Sequence, residues 1–244
     1  MSKALPNHTI FVEGPEDSQF LRELMREWYH MKVTRPEAEK KTAEQEKSGK
    51  AGAGEFTDFM HCGGKTQFEK NAPAFQDSTL QGLTNIVFLD ADSLQKDETV
   101  GGLDKTIELC LSLQVKHNIT VSKAFIFPNT ILDVENKTVI KRGDETGDLE
   151  TILHHIAVER RLLECWEKYE ECVRNNAHEE EKKYQPPGTK TKFYAYSEAV
   201  LRNADNAGGA RRQYRNDFWN LDPNQLYLQR LRTFLDEIVL PSSE

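Results

Sequence analysis

Four carboxylates carry the first chemical signal in this chain. Glu13 and Asp17 lie in IFVEGPEDSQFL, residues 10–21, and Asp90 and Asp92 lie in NIVFLDADSL, residues 85–94. Each pair follows a short apolar run rich in Ile, Val and Phe, which reads as a buried strand. Carboxylates at the carboxyl ends of such strands sit where open α/β sheets hold ligands. Several of them at one sheet edge repel each other unless a cation lies between them. Oxygen donors without a thiolate or imidazole set suit Mg²⁺ or Mn²⁺. In an extended segment, residues i and i+2 point to the same side, so Asp90 and Asp92 can reach one ion. Plainer readings stand beside these. Glu13 can end a strand paired with a lysine, and Asp17 can cap a helix whose dipole favours a first-turn carboxylate. Asp90 and Asp92 can form an Asx turn.

Gly63-Gly64-Lys65-Thr66 invites comparison with a P-loop, but the first glycine of that motif would fall at Phe59, so the match fails. A Gly-Gly-Lys turn after a strand can still offer backbone N–H groups and one ammonium to a phosphate. Gly14, Gly63, Gly64 and Lys65 are therefore candidates for substrate binding, with an ordinary turn as the alternative. His154 and His155 are adjacent on a helix and point about 100° apart, so they do not share one ion well. Cys165 and Cys172 lie on one helical face and read as packing residues. Arg211-Arg212-Gln213-Tyr214-Arg215, near Phe218-Trp219, mixes basic and aromatic residues. It reads as a nucleic-acid contact or as core aromatics beside a loop.

The elements that must position these groups follow from periodicity. Strands are predicted at Thr9–Val12, Phe56–Met60, Ile86–Leu89 and Lys123–Phe127. Helices are predicted at Asp17–Tyr29, after Thr66, and at Thr106–His117. Residues 35–54 lose periodicity and read as a mobile insertion. After Pro128 the alternation ends. Asp148–Asn175 reads as one long helix with apolar residues at threes and fours. Residues 178–192 read as a polar break, and Phe193–Leu201 and Leu226–Ile238 as further helices. The order predicts an α/β fold: a parallel sheet flanked by helices, with a helical C-terminal extension. Residues 1–145 form the α/β core and 146–244 a mainly helical part packed on it.

Composition bounds the function. At 244 residues, 37% hydrophobic and 30% charged, the chain reads as one large domain with a wet surface. A net charge of −8 argues against coating nucleic acid by bulk attraction, but not against a nuclease whose site holds divalent ions. No apolar stretch approaches the roughly 18 residues of a membrane span, and the N-terminus does not read as a signal peptide. A cytoplasmic setting without membrane association is expected. Four cysteines make no Cys-x-x-Cys pair; reduced thiols are the plainer reading, with disulfides left open.

Glu13-Gly14, then Asp17, then Asp90-x-Asp92 after a later strand together resemble the TOPRIM domain of topoisomerases, bacterial primases and OLD (overcoming lysogenization defect) nucleases. Phe127-Pro128-Asn129, Gly147-Asp148-Leu149-Glu150 and Lys192 extend the likeness to stand-alone TOPRIM-like proteins related to the OLD nucleases. The resemblance implies a TOPRIM/Rossmann-like core and a Mg²⁺- or Mn²⁺-dependent phosphodiesterase acting on DNA or RNA. By analogy alone, it implies a role in defence against foreign DNA. It implies that Glu13, Asp90 and Lys192 are catalytic and that Glu13, Asp17, Asp90, Asp92 and Glu150 hold one or two metals. Glu150 would serve a second ion, or else simply sit at a helix start favoured by the dipole. Lys192 would stabilise developing charge; Lys190, two residues away, is an equal candidate for contacting substrate, and both also read as solvated lysines. Many TOPRIM sequences carry a glycine soon after the second Asp. Here Ser93-Leu94-Gln95 follows, and Gly101-Gly102 comes later, so a longer loop is expected. Nucleic acid is the expected partner, with a separate ATPase and a homo-oligomer left open. Two alternatives remain: a non-catalytic binding module for nucleic acid or protein, and an enzyme acting on small-nucleotide phosphoesters.

Overall fold

The computed structural model describes residues 8–31, 59–93, 101–176, 187–200 and 214–240. The expected insertion at 35–54, the polar break from 178 to 186 and Arg211-Arg212-Gln213 lie outside them. Among the described residues the chain forms one six-stranded sheet in the order β2-β1-β3-β4-β5-β6. The strands are β1 (His8–Val12), β2 (Phe59–His61), β3 (Thr84–Asp90), β4 (Lys123–Phe127), β5 (Thr130–Asp133) and β6 (Thr138–Lys141). β2, β1, β3 and β4 are parallel, with Val12 opposite Phe88 and Asp90 opposite Phe127. β5 and β6 add antiparallel strands beyond β4.

The fold is α/β with helices on both faces, and the sheet is mixed rather than wholly parallel. β5 and β6 escaped the sequence reading for a physical reason. Thr130–Asp133 is only four residues long, and Thr138–Lys141 is exposed throughout, so neither shows the buried alternation that marks a strand.

Alternation along the central strands sorts the core into two layers. Ile10, Val12, Ile86, Phe88, Phe125 and Phe127 face one side. There they meet α1 (Pro15–Tyr29), α4 (Leu149–Ile156), α6 (Thr189–Val200) and α7 (Gln229–Val239). Phe11, Val87, Leu89, Ala124 and Ile126 face the other side, against α2 (Phe68–Leu80) and α3 (Leu103–His117). The first layer draws on both ends of the chain. Trp28 on α1 donates its indole N–H to the Leu221 carbonyl at 2.7 Å, and the Tyr29 hydroxyl bonds Asp236 at 2.9 Å.

The long helix expected from Asp148 to Asn175 is two helices, α4 and α5 (Arg160–Asn175). The break lies at Ala157, whose ψ of 129° leaves the helical region. An antiparallel bridge from Ala157 to Trp219 takes up the backbone there, so a tertiary contact outweighs helical periodicity. Cys165 and Cys172, expected to pack, are exposed, whereas Cys62 and Cys110 are buried. Burial pushes the Cys62 and Cys110 thiols up to about 12, which leaves them protonated and inert. No helix among the described residues is long and apolar enough to cross a membrane.

Candidate functional site

Strand order locates the site. From β1 the chain passes through α1 to β2 on one flank, while β3 lies on the other. α1 covers one face of the sheet, and α2 and α3 cover the opposite face. Connections thus diverge between β1 and β3, and in open α/β sheets the crevice at the carboxyl ends of such strands is where ligands bind. Glu13 follows the last residue of β1, and Asp90 is the last residue of β3. Glu13 Oε1 accepts a hydrogen bond from the Asp90 N–H at 2.9 Å, so the two strand ends are tied together at this point.

Asp17 lies in the first turn of α1 and is 7% exposed. Its Oδ2 accepts the Gly14 N–H at 2.8 Å, so it caps the helix as the composition of a first turn suggests. It also faces other acids. Burial pushes its carboxyl up to about 7, Glu13 and Glu150 adding to the rise, while the Gly14 hydrogen bond and Lys190 oppose it.

Asp90 Oδ1 accepts the Leu149 N–H, at the start of α4, at 3.2 Å. The free N–H groups of a helix start thus point at a carboxylate. Burial holds the Asp90 carboxyl well above its ordinary value, reinforced by Asp17, Glu13, Asp148 and Glu150. Glu150, 8% exposed on α4, is raised by burial and by Asp148, with Lys190 opposing. Asp148 is the cap of α4, accepting the Thr151 N–H at 2.9 Å. Gly147, just before it, has φ of 140°, and a side chain there would bring Cβ to 2.7 Å from Pro128 Cδ. Only glycine lets the chain pass Pro128 and aim α4 at Asp90.

Glu13, Asp17, Asp90 and Glu150 are therefore a mutually repelling group at the switch point. Their donor type and surplus negative charge fit a hard divalent cation. Asp17 and Asp90 each engage a single oxygen with backbone N–H, which leaves the other to a further partner. Among the described residues, however, no three His, Cys, Asp or Glu side chains are already gathered to hold a metal ion. A cation would have to draw these carboxyls inward.

The profile of a family described as "Protein of unknown function (DUF3226)" matches residues 7–240. The chain belongs to the DUF3226 family. No curated protein matches it. Among solved structures, it is similar to the crystal structure of hypothetical protein PH0156 from Pyrococcus horikoshii OT3. The two share 20% identity over 95% of this chain and 94% of that one, with a TM-score of 0.43.

The remaining candidates of this DUF3226 chain sort by where their side chains go. Lys190 joins the carboxylates, with Nζ 3.9 Å from Glu16 Oε2 and 4.0 Å from Glu150 Oε1. Burial alone would lower its ammonium, but Glu150, Glu16, Asp17 and Asp90 outweigh that and hold it above its ordinary value. Lys192, the residue expected to be catalytic, turns elsewhere. It is buried between helices, donating to Glu167 Oε1 at 3.1 Å with His154 Nδ1 at 3.5 Å. On α6, residues two apart face different directions, so only one of these lysines can face the cluster.

Lys65, expected at a phosphate, is also buried, and its ammonium pairs with Asp92 at 3.0 Å. Asp92 does not share a side with Asp90. Its φ of 62° is left-handed, so the extended geometry behind the Asp-x-Asp argument stops at Ala91. The Gly63 N–H donates to the Glu13 carbonyl at 2.9 Å and thereby continues the β1–β2 pairing. Gly64 has φ of 105° and opens the turn of residues 65–67. Gly14 supplies the cap of α1 and its N–H to Asp17.

The sequence reading missed three residues at this site. Glu16 accepts the Tyr194 hydroxyl at 2.9 Å. Tyr214 lines the same crevice as Glu16 and Glu150, and its hydroxyl is driven well above its ordinary value by burial and then by Glu150, Asp17 and Glu16. Glu16, Glu150, Lys190, Tyr194 and Tyr214 line a crevice of about 10 Å³, room for one water and not for a base. Glu16 was legible as a second acid in the α1 first turn; Tyr214 stood out only as part of a basic and aromatic segment, and nothing local places either tyrosine among the acids. His155 stacks on Tyr227 with ring centroids 3.7 Å apart. Tyr214, Phe218 and Trp219 belong to the core, and Arg215 pairs with Asp217.

Proposed function

We propose that this protein is a metal-dependent phosphodiesterase of TOPRIM type that cleaves DNA or RNA. The observation that supports the reading is the meeting of Glu13, Asp17, Asp90 and Glu150 at the switch point, three of them with carboxyls raised first by burial and further by neighbouring acids. Glu13, Asp17, Asp90 and Glu150 would hold Mg²⁺ or Mn²⁺, which when bound supplies a water of lowered pKa and neutralises charge on a phosphoryl oxygen.

The chain's own groups do the rest. The Asp90 N–H orients Glu13, and the Leu149 N–H orients Asp90. Gly14 holds Asp17 Oδ2, leaving Oδ1 to serve the ion. Lys190, at the mouth of the cluster, reaches a phosphate and stabilises charge as it builds. It takes the part expected of Lys192. A cytoplasmic setting belongs to this proposal from the sequence pattern alone, and a separate ATPase partner and a defence role only by analogy with the OLD nucleases.

One observation favours a second reading, a non-catalytic binding module. No three metal-binding side chains among the described residues are already gathered. Cleavage of labelled single- and double-stranded DNA and RNA in Mg²⁺, Mn²⁺ or EDTA separates the two. The nuclease reading expects metal-dependent cleavage that Glu13→Ala removes. Binding of a polymer without cleavage under any ion would replace it with the module.

A further inference from the structure

Lys65 is a buried cation beside an acidic site. It is 6% exposed and comes from the turn between β2 and α2. Its Nζ lies 3.0 Å from Asp92 Oδ2, 2.9 Å from Thr106 Oγ1 and 3.3 Å from the Ala91 carbonyl oxygen. A carboxylate, a hydroxyl and a backbone carbonyl are the hard oxygen donors that a divalent ion would recruit. Here they surround an ammonium, which is a compact point charge on a tether.

The backbone holds this arrangement in place. The Asp92 N–H donates to the Gly147 carbonyl at 2.7 Å, and the Gly147 N–H returns to the Asp92 carbonyl at 3.3 Å. With φ of 62° at Asp92, the side chain is directed at Lys65 and away from Asp90. Thr106 Oγ1 is also 3.4 Å from the Asp90 carbonyl, so the ammonium's cage adjoins the carboxylate group at the β1–β3 switch point.

We propose that the Lys65 ammonium is a built-in cation standing in for a second metal, so that the protein takes one divalent ion and not two. This rests on the metal-dependent reading above. A second ion beside Lys65 would meet a fixed positive charge and would lack Asp92 as a donor. The single ion belongs to Glu13, Asp17, Asp90 and Glu150, and Asp92 serves it only through the charge it balances on Lys65.

The test counts Mn²⁺ bound to the full chain, by calorimetric titration and by electron paramagnetic resonance of the free ion. The parent is expected to bind one ion and Lys65→Met two, since the fixed positive charge beside Asp92 is then gone. The double variant Lys65→Met/Asp92→Asn is expected to bind one ion with the parent's affinity. Two ions in the parent would overturn the inference and leave the metal-dependent reading standing. No ion in the parent would overturn both. One ion in a folded Lys65→Met, or loss of binding in the double variant, would also overturn it, the latter by making Asp92 a ligand. Should Lys65→Met fail to fold, the counts for the parent and the double variant decide.

Discussion

Asp17→Asn should make the protein more stable, and increasingly so as pH rises. The Asp17 carboxyl is pushed up to about 7 from 3.8, first by burial. In the window between those values the folded chain holds a proton that the unfolded chain has released. Unfolding therefore becomes easier as pH rises through it, and the cost is complete above the folded pKa. Three units correspond to about 4 kcal/mol at about pH 8, and to about 2 kcal/mol at about pH 5, where only part of the window has been crossed. Asparagine stays neutral, and its Oδ1 can still accept the Gly14 N–H that Asp17 accepts at 2.8 Å. The cap thus survives while the repulsion goes. Urea denaturation of parent and variant in EDTA at the two pH values measures the difference. A gain that grows with pH, and that shrinks when Mg²⁺ is added to the parent, is expected. A variant less stable than its parent at the higher pH, or a gap that ignores pH, would refute the reasoning.

Other predictions concern the frame of the site. Gly147→Ala forces a side chain toward Pro128 at φ of 140°; a loss of about 1–3 kcal/mol in urea denaturation is expected, together with weaker Mn²⁺ binding as α4 shifts from Asp90. Tyr196→Phe removes a hydroxyl that donates to the Phe218 carbonyl at 2.7 Å and accepts the Glu159 N–H at 3.0 Å, so thermal unfolding should show a loss of about 1–3 kcal/mol. Lys190→Ala should lower metal-dependent cleavage by about a hundredfold with little change in stability. Lys192→Ala should do the reverse, losing stability while the folded fraction keeps its rate. Equal rates for Lys190→Ala and the parent would remove that lysine from the mechanism.

Much of this organisation was legible in the sequence, and the failures share a cause. β1, β3 and β4 are continuous apolar runs buried on both faces, so Glu13 and Asp90 could be placed at strand ends from composition alone. Their meeting follows from strand order, which alternation of elements does not encode. Asp92 was misplaced because i, i+2 geometry presumes an extended chain, and its left-handed φ depends on Gly147, far away in sequence. Lys65 was misread for the same reason: its partners are Asp92 and Thr106, and no local pattern announces a buried ion pair. The choice between Lys190 and Lys192 turns on the rotation of α6 against α4, which spacing does not encode. Tyr214 lines the crevice of Glu16 and Glu150 only because the C-terminal segment returns to pack on α1, with its ring edge-on to Phe20 at 5.3 Å.

We propose that the carboxylates at the β1–β3 switch point run metal-dependent phosphodiester cleavage. Asp90→Asn tests it most directly, because that carboxyl is set among all the others and its loss removes charge rather than volume. Cleavage of labelled DNA and RNA by parent and variant should be compared in Mg²⁺, Mn²⁺ and EDTA, with circular dichroism confirming an intact fold. Cleavage by the parent that EDTA abolishes and that Asp90→Asn lacks is expected. Metal-dependent cleavage by a folded Asp90→Asn at the parent's rate would contradict it.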